Sequence, residues 1–437
     1  MTNYIILALC LIIFLSYIFD ITGRYTRIPG VILLIGLGIV IQIIADAIGL
    51  KIPNLKPFLP VMGTLGLILI VMEASLDLKF EREKSLTIIK GVVSAIVLFA
   101  LFVSIMVIVM VKLMHQPLKD SILNVIPMAI ISSAVAIPSA INLSRNLKEF
   151  IIYESSFSDI IGILAFDFIL YNESSVAQGL LKYFVSGGII TVIISIVLTL
   201  GLAMLMHKVR YHVNYVIILT SVIAVYVLGE IVHLPSLLMV MIFGMVMANN
   251  RFVENKPFVN RYIDFEKFRN DLESFKKILG ELTFLVRSFF FIMFGFYVKI
   301  NGLLNTENII ISLAVVLIVF LLRWLFFDKV LRISAHTLVF FAPRGLITIL
   351  LFMSIPEESR IPFVNEEVIT LVIFITIILL MIGNMFYNPS KEKTTTENEN
   401  IKPDIVTTPV SFEENQGNNF IKKPDNDDNN SESAYSP

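Results

Sequence analysis

Charge is what this chain has least of. Only 16% of its 437 residues are Asp, Glu, Lys or Arg, against roughly a quarter in a soluble domain. Cysteine is nearly absent: Cys10 is the single one and lies in an apolar run. Neither a disulfide framework nor a thiolate metal site is therefore available. The formal net charge of −1 argues against nucleic acid as a partner. No glycine-rich phosphate loop, clustered set of metal ligands or nucleophile elbow occurs in the sequence. That disfavours an ATP-driven pump and an enzyme, and calls for no cofactor.

Long apolar runs take the place of all this, in a chain that is 56% hydrophobic. About 18 apolar residues cross a hydrocarbon core of about 30 Å as a helix, and only helices and closed barrels satisfy their backbone in lipid. The runs predict an all-α polytopic membrane protein with about thirteen spans. These are 3–19, 29–50, 58–76, 87–114, 120–143, 150–171, 180–206, 213–231, 235–249, 279–298, 307–327, 333–355 and 366–387. The first has no basic region before it and no small-residue cleavage site after it, so it is read as retained. Residues 388–437 turn to Asn, Glu, Asp, Thr, Ser and Lys, which predicts a disordered tail. The mixed-charge loop 251–277 is expected to form an amphipathic surface helix. Lys and Arg are denser in loops after odd-numbered spans, as at Arg24, Arg27, Lys79, Arg82, Lys84 and Lys90. That puts those loops in the cytoplasm, with the N-terminus outside the cell membrane and the tail inside.

Polar chemistry at membrane depth separates a transporter from other polytopic proteins. An ionisable group in a span costs roughly 2.5 to 3.5 kcal/mol on insertion scales, so each is a functional hypothesis. The sixth span reads Glu154-Ser155-Ser156-Phe157-Ser158-Asp159. At about 1.5 Å per residue, Asp159 lies roughly 14 Å deep, near the midplane. Ser155 precedes it by one turn on the same face. The bland reading is a protonated carboxyl that glues helices; two acids and three serines in six residues favour a site.

Two other spans carry break signals. In the fifth, Ser132-Ser133-Ala134 precedes Pro138, which lacks an N–H and disfavours helical geometry at Ile137, so a break is expected there. It would free carbonyls for a cation, although a kink without function explains the proline equally well. The twelfth span holds Ala342-Pro343-Arg344-Gly345. An offset of seven spans makes these two cross in opposite directions, as an inverted-topology repeat requires, with the seventh span as connector. Like helix ends would then meet, and Arg344 is placed to compensate them, with Glu73 of the third span as candidate partner or vestibule charge. Arg323 in the eleventh span matches Glu154 in depth, which predicts an ion pair that a charge swap should preserve. Snorkelling to the interface is the alternative for both arginines. Arg287 is left without a partner. His115, His207, His212, His233 and His336 fall at helix ends or in loops, so a midplane proton must ride on Asp159.

With these residues in view, 3–387 resembles the monovalent cation:proton antiporter superfamily, in its sodium/proton exchanger branch. The resemblance rests on Glu154-Ser-Ser-Phe-Ser-Asp159, on Glu73-Ala-Ser-Leu-Asp77 and on Ala342-Pro-Arg344-Gly345. It implies a homodimer in which dimerisation helices, 3–76 and 213–298, hold a mobile core, 87–171 and 307–387, joined by a connector at 180–206. By match of position Asp159 would carry both cation and proton, and Glu154 would be a structural acid paired with Arg323. Ser158 stands where the family has Asn or Asp, and Ser132-Ser133-Ala134 where Thr-Asp-Pro is frequent. Each change removes a ligand or a charge. The expected function is antiport of Na⁺, Li⁺ or K⁺ for protons by alternating access. The monovalent cation would be held by Asp159, Ser155, Ser158, Ser132 and Ser133, with lipid as surroundings. One carrier carboxyl predicts electroneutral exchange. A symporter or channel on a similar scaffold, or a transport-inactive sensor, are the alternatives.

Overall fold

The computed structural model describes residues 2–26, 28–49, 57–77, 85–171, 193–194, 197–198, 201, 214–231, 236–249, 265–331 and 336–387. The tail 388–437, most of the connector 180–206 and the first half of the loop 251–277 lie outside them, as do His207, His212 and His233. Among the described residues every regular element is a helix, the all-α architecture that the apolar runs predict. Six helical stretches among the described residues are long and apolar enough to cross a membrane, Leu118–Ser139 being one of them.

The order begins with α1 (Thr2–Thr26), α2 (Gly30–Ala47), α3 (Phe58–Asp77) and α4 (Ser85–Lys112). A short pair follows, α5 (Leu118–Ala129) and α6 (Ser133–Ser139), then α7 (Arg145–Tyr171). Next come α8 (Asn214–Ile231), α9 (Ser236–Ala248) and α10 (Phe265–Tyr297). The described chain closes with α11 (Thr306–Leu325), a second short pair, α12 (His336–Phe340) and α13 (Leu346–Met353), and α14 (Glu366–Phe386). Start signals are local where they occur. Asn305 caps α11 by accepting the Glu307 N–H, and Asn365 caps α14 by accepting that of Val368. Each is followed by acid in the first turn, which suits the positive end of the helix.

Packing divides these helices into neighbourhoods. α10 lies along α2 and α3, α9 along α3, α4 along α7, and α11 along α14. Small residues let backbones meet, as membrane helices without a hydrophobic drive between them require. A Cβ on Gly38 of α2 would fall on the backbone of α10, and one on Gly295 of α10 on that of α2. Outward-facing Leu11, Phe14, Leu317 and Phe386 are exposed and suit contact with lipid tails.

One boundary differs from the sequence reading. From Phe265 the expected surface helix runs without interruption into the tenth span as the 33-residue α10. No proline interrupts this stretch, and Glu, Lys, Leu and Phe continue the helix across the change from polar to apolar. A hydropathy boundary is not a backbone boundary.

Candidate functional site

The helix α5 stops before 130–132, and Pro138 sits inside α6 rather than at the break. Tertiary acceptors fix the position. The Ile131 N–H donates to Ser158 Oγ at 2.9 Å, the Ser132 N–H to the Pro343 carbonyl at 2.9 Å, and the Ser133 N–H to Asp159 Oδ2 at 3.2 Å. Three consecutive donors thus leave the helix ladder and none is stranded, as buried N–H groups require. Pro138 acts differently. It lacks the N–H that would bond the Ala134 carbonyl, and Arg287 Nη1 approaches that oxygen at 3.4 Å.

The second short pair parts at 341–345, against the first. Arg344 is buried and spends its guanidinium on backbone: Nε donates to the Met128 carbonyl at 2.8 Å, Nη1 to Ala342 at 2.8 Å and Nη2 to Ala129 at 3.4 Å. It therefore lies between the carbonyl ends of α5 and α12, where the helix dipole favours a cation. It turns to these carbonyls rather than to Glu73, which faces Gly280 of α10. Space between the breaks is tight. A Cβ on Gly345 would lie 2.6 Å from Ser132 Oγ and 3.1 Å from Val135 Cγ2. Gly345→Ala should cost about 1–3 kcal/mol through overpacking, read as a lower melting temperature in detergent, and should slow transport. An unchanged melt would show that the breaks are not in tight contact.

Glu154 and Arg323 form a two-pronged ion pair. Arg323 Nη1 donates to Oε1 at 2.9 Å and Nη2 to Oε2 at 3.0 Å, and Ser94 Oγ of α4 donates to Oε1 at 2.6 Å. Both charged side chains are at most 2% exposed, so neither snorkels. Arg323 also donates to the carbonyls of Leu338, Val339 and Phe341 at the end of α12. The Val339 carbonyl is the one that Pro343 leaves without a helical donor. Ser94 carries no sequence signal, since serine in an apolar helix is ordinary.

Asp159 is 5% exposed. Beside it opens a narrow cavity, lined among others by Ile70 and Ser75 of α3, Ser133, Ser156, and Leu238 and Met241 of α9. Asp159 Oδ1, Ser156 Oγ and Ser132 Oγ have no hydrogen-bond partner among the described residues. Unpartnered oxygen in an apolar setting is costly, and a proton or a hard cation would satisfy it. Ser132 is not among the lining residues and its Oγ lies against Gly345; two other expected ligands also fall elsewhere. Ser155 Oγ donates to the Ile151 carbonyl at 2.7 Å, within its own helix, and is not among the cavity-lining residues. Ser158 lines another cavity together with Arg323 and Arg344 and props the first break by accepting the Ile131 N–H. Ser156, three residues before Asp159, takes the place expected of Ser155. Its spacing from Asp159 suits a shared face as well as that of Ser155 does, and sequence alone does not fix the rotation of a helix.

No curated protein matches. The sodium proton antiporter MjNhaP1 of Methanocaldococcus jannaschii, solved at pH 8, superposes with a TM-score of 0.65 at 19% identity, over 87% of this chain and 98% of that one. An electron-microscopy structure of the same antiporter gives a TM-score of 0.65 at 19% identity over 92% and 100%. At that identity the likeness is one of fold. The model of the transmembrane sodium/hydrogen exchanger family matches residues 10–388; the chain belongs to the sodium/hydrogen exchanger family.

Proposed function

We propose that the protein exchanges one monovalent cation for one proton through Asp159. The observation that carries this reading is the buried carboxylate itself, with one oxygen held by the Ser133 N–H and the other unpartnered beside a cavity. A proton and a cation compete for the same oxygens, so the carrier holds one or the other. Ser156, which lines the same cavity and has no hydrogen-bond partner among the described residues, supplies further oxygen for a hard ion. Na⁺ is the first choice, because the superposed antiporter is described as one for sodium and protons.

The cavity is bounded by α3 and α9 on one side and by α6 and α7 on the other. In this reading α1–α3 and α8–α10 form the fixed half and the homodimer contact. The helices α4–α7 and α11–α14 form the core that moves, exposing Asp159 to the two sides in turn. The N-terminus lies outside the cell and the tail in the cytoplasm. Either ligand neutralises Asp159 equally, so the loaded core carries the same charge in both directions and exchange is electroneutral.

Reconstituted vesicles test this. An outward Na⁺ gradient should drive proton uptake. A potential of 100 mV, which biases one uncompensated charge by about 2.3 kcal/mol, should leave the rate unchanged. Absence of proton movement with Na⁺, Li⁺ and K⁺ alike would overturn antiport; strong voltage dependence would overturn electroneutrality alone.

A further inference from the structure

Arg287 is an arginine at membrane depth that the site above does not use. It lies on α10, near the middle of an apolar stretch, and among the described residues its hydrogen bond is to the Ala134 carbonyl of α6 at 3.4 Å. That carbonyl is available because Pro138 brings no N–H to it. The next residue toward the break, Ser133, holds Asp159. Beside Arg287 runs a further cavity, lined among others by Ser16 of α1, Pro29, Leu34 of α2, and Val135 and Pro138 of α6. An arginine cannot lose its charge, so in this setting it must be solvated or keep a partner.

We propose that Arg287 is a latch between α10 and α6, a positioning residue that favours the conformation seen here. This rests on the reading above in which α10 is fixed and α6 moves. A core that carries Asp159 away from α3 and α9 also carries Ala134 away from Arg287. The contact must then break and re-form once per cycle. Pro138 is the second half of the device, because it reserves the Ala134 carbonyl for the latch. A charged donor on a carbonyl is worth a factor of about ten at the weak end of its range, which suits a contact of 3.4 Å.

The test reads conformation rather than transport. In a Cys10→Ser background, Leu238→Cys places a thiol in the Asp159 cavity. An impermeant thiol reagent is applied to right-side-out and to inverted vesicles, and the ratio of the two labelling rates is taken. Arg287→Gln should change that ratio about tenfold, while Arg287→Lys, which keeps a donor, should change it less. Pro138→Ala returns an N–H to compete for the Ala134 carbonyl. It should move the ratio in the same direction, and combining it with Arg287→Gln should add little. Should Arg287→Gln fail to insert, the lysine and Pro138→Ala variants decide. An unchanged ratio in Arg287→Gln or in Pro138→Ala, or full additivity between them, overturns the latch. If the ratio stays fixed while Asp159→Asn stops exchange, the latch falls and the carrier stands. If the ratio shifts while Asp159→Asn still exchanges, the carrier falls and the latch stands.

Discussion

Replacing Asp159 with asparagine is expected to stop cation-driven proton movement and leave the protein folded. Asparagine has the size of the neutral acid, and its carbonyl can still accept the Ser133 N–H that now reaches Oδ2 at 3.2 Å. The new amide donor enters a cavity that Ser156, without a hydrogen-bond partner of its own, also lines. Stability should therefore be equal or higher, since an amide needs less solvation than a carboxylate. The exchange chemistry should be lost outright. An amide neither takes up a proton at physiological pH nor brings a negative charge to a cation, so the core would stay in one electrostatic state. In everted vesicles with a pH-sensitive dye, added Na⁺ should give the response of empty vesicles, with expression and melting temperature preserved. Exchange that survived would sink the assignment of Asp159. Cation flux persisting without proton movement would point to a channel or symporter on the same scaffold. Asp159→Glu keeps the charge on a side chain one methylene longer. In so tight a place it should exchange slowly with a raised KM for the cation.

What could be read beforehand divides by the range of the interactions involved. A carboxyl in an apolar span has few explanations, so Asp159 stood out from composition around it. Glu154 and Arg323 could be matched because depth is additive along straight helices at a fixed rise, and the structure has them 2.9 Å apart. Properties set by neighbours distant in sequence were not readable. The first break falls at 130–132, a stretch of Ile-Ile-Ser with no proline, because Ser158 and Pro343 take the N–H groups of Ile131 and Ser132, and Asp159 takes that of Ser133 where α6 begins. The proline that drew attention, Pro138, is accommodated inside α6 and serves Arg287 instead. Ser155 and Ser156 differ by 100° around one helix, and which of them meets the cavity depends on how α7 is rotated against α3 and α9. Glu73 and Arg344 sit in spans that suggested a meeting, yet the carbonyl ends of two interrupted helices claim the guanidinium first.

Breaking the Glu154–Arg323 pair from either side should cost about 3–5 kcal/mol, because the surviving charge is left buried without its partner. Glu154→Gln strands the guanidinium and weakens the Ser94 contact. Arg323→Met should be the worse of the two. It leaves a buried carboxylate and also strips the donors from the Leu338, Val339 and Phe341 carbonyls. Those carbonyls change what a charge swap can do. Matched depth alone would let Glu154→Arg with Arg323→Glu restore the pair. Apart from the new arginine at 154, a carboxylate at 323 faces the three carbonyl oxygens of Leu338, Val339 and Phe341, which lose their donors and repel it, so the swap should fail to rescue fully. A neutral double variant, Glu154→Gln with Arg323→Gln, removes both charges and keeps amide donors for some of the carbonyls. Its cost should fall well below the sum of the two single losses, the signature of coupled residues. Neither residue is among those lining the Asp159 cavity, so protein that does fold should keep the wild-type KM for its cation while less of it reaches the membrane. Thermal melting of detergent-solubilised protein, followed by fluorescence-detected size exclusion, measures the stability term, and vesicle transport normalised to folded protein measures the KM. Full rescue by the swap would mean that Arg323 acts through Glu154 alone. A shifted KM at full folding would mean that the pair reaches the cation site after all.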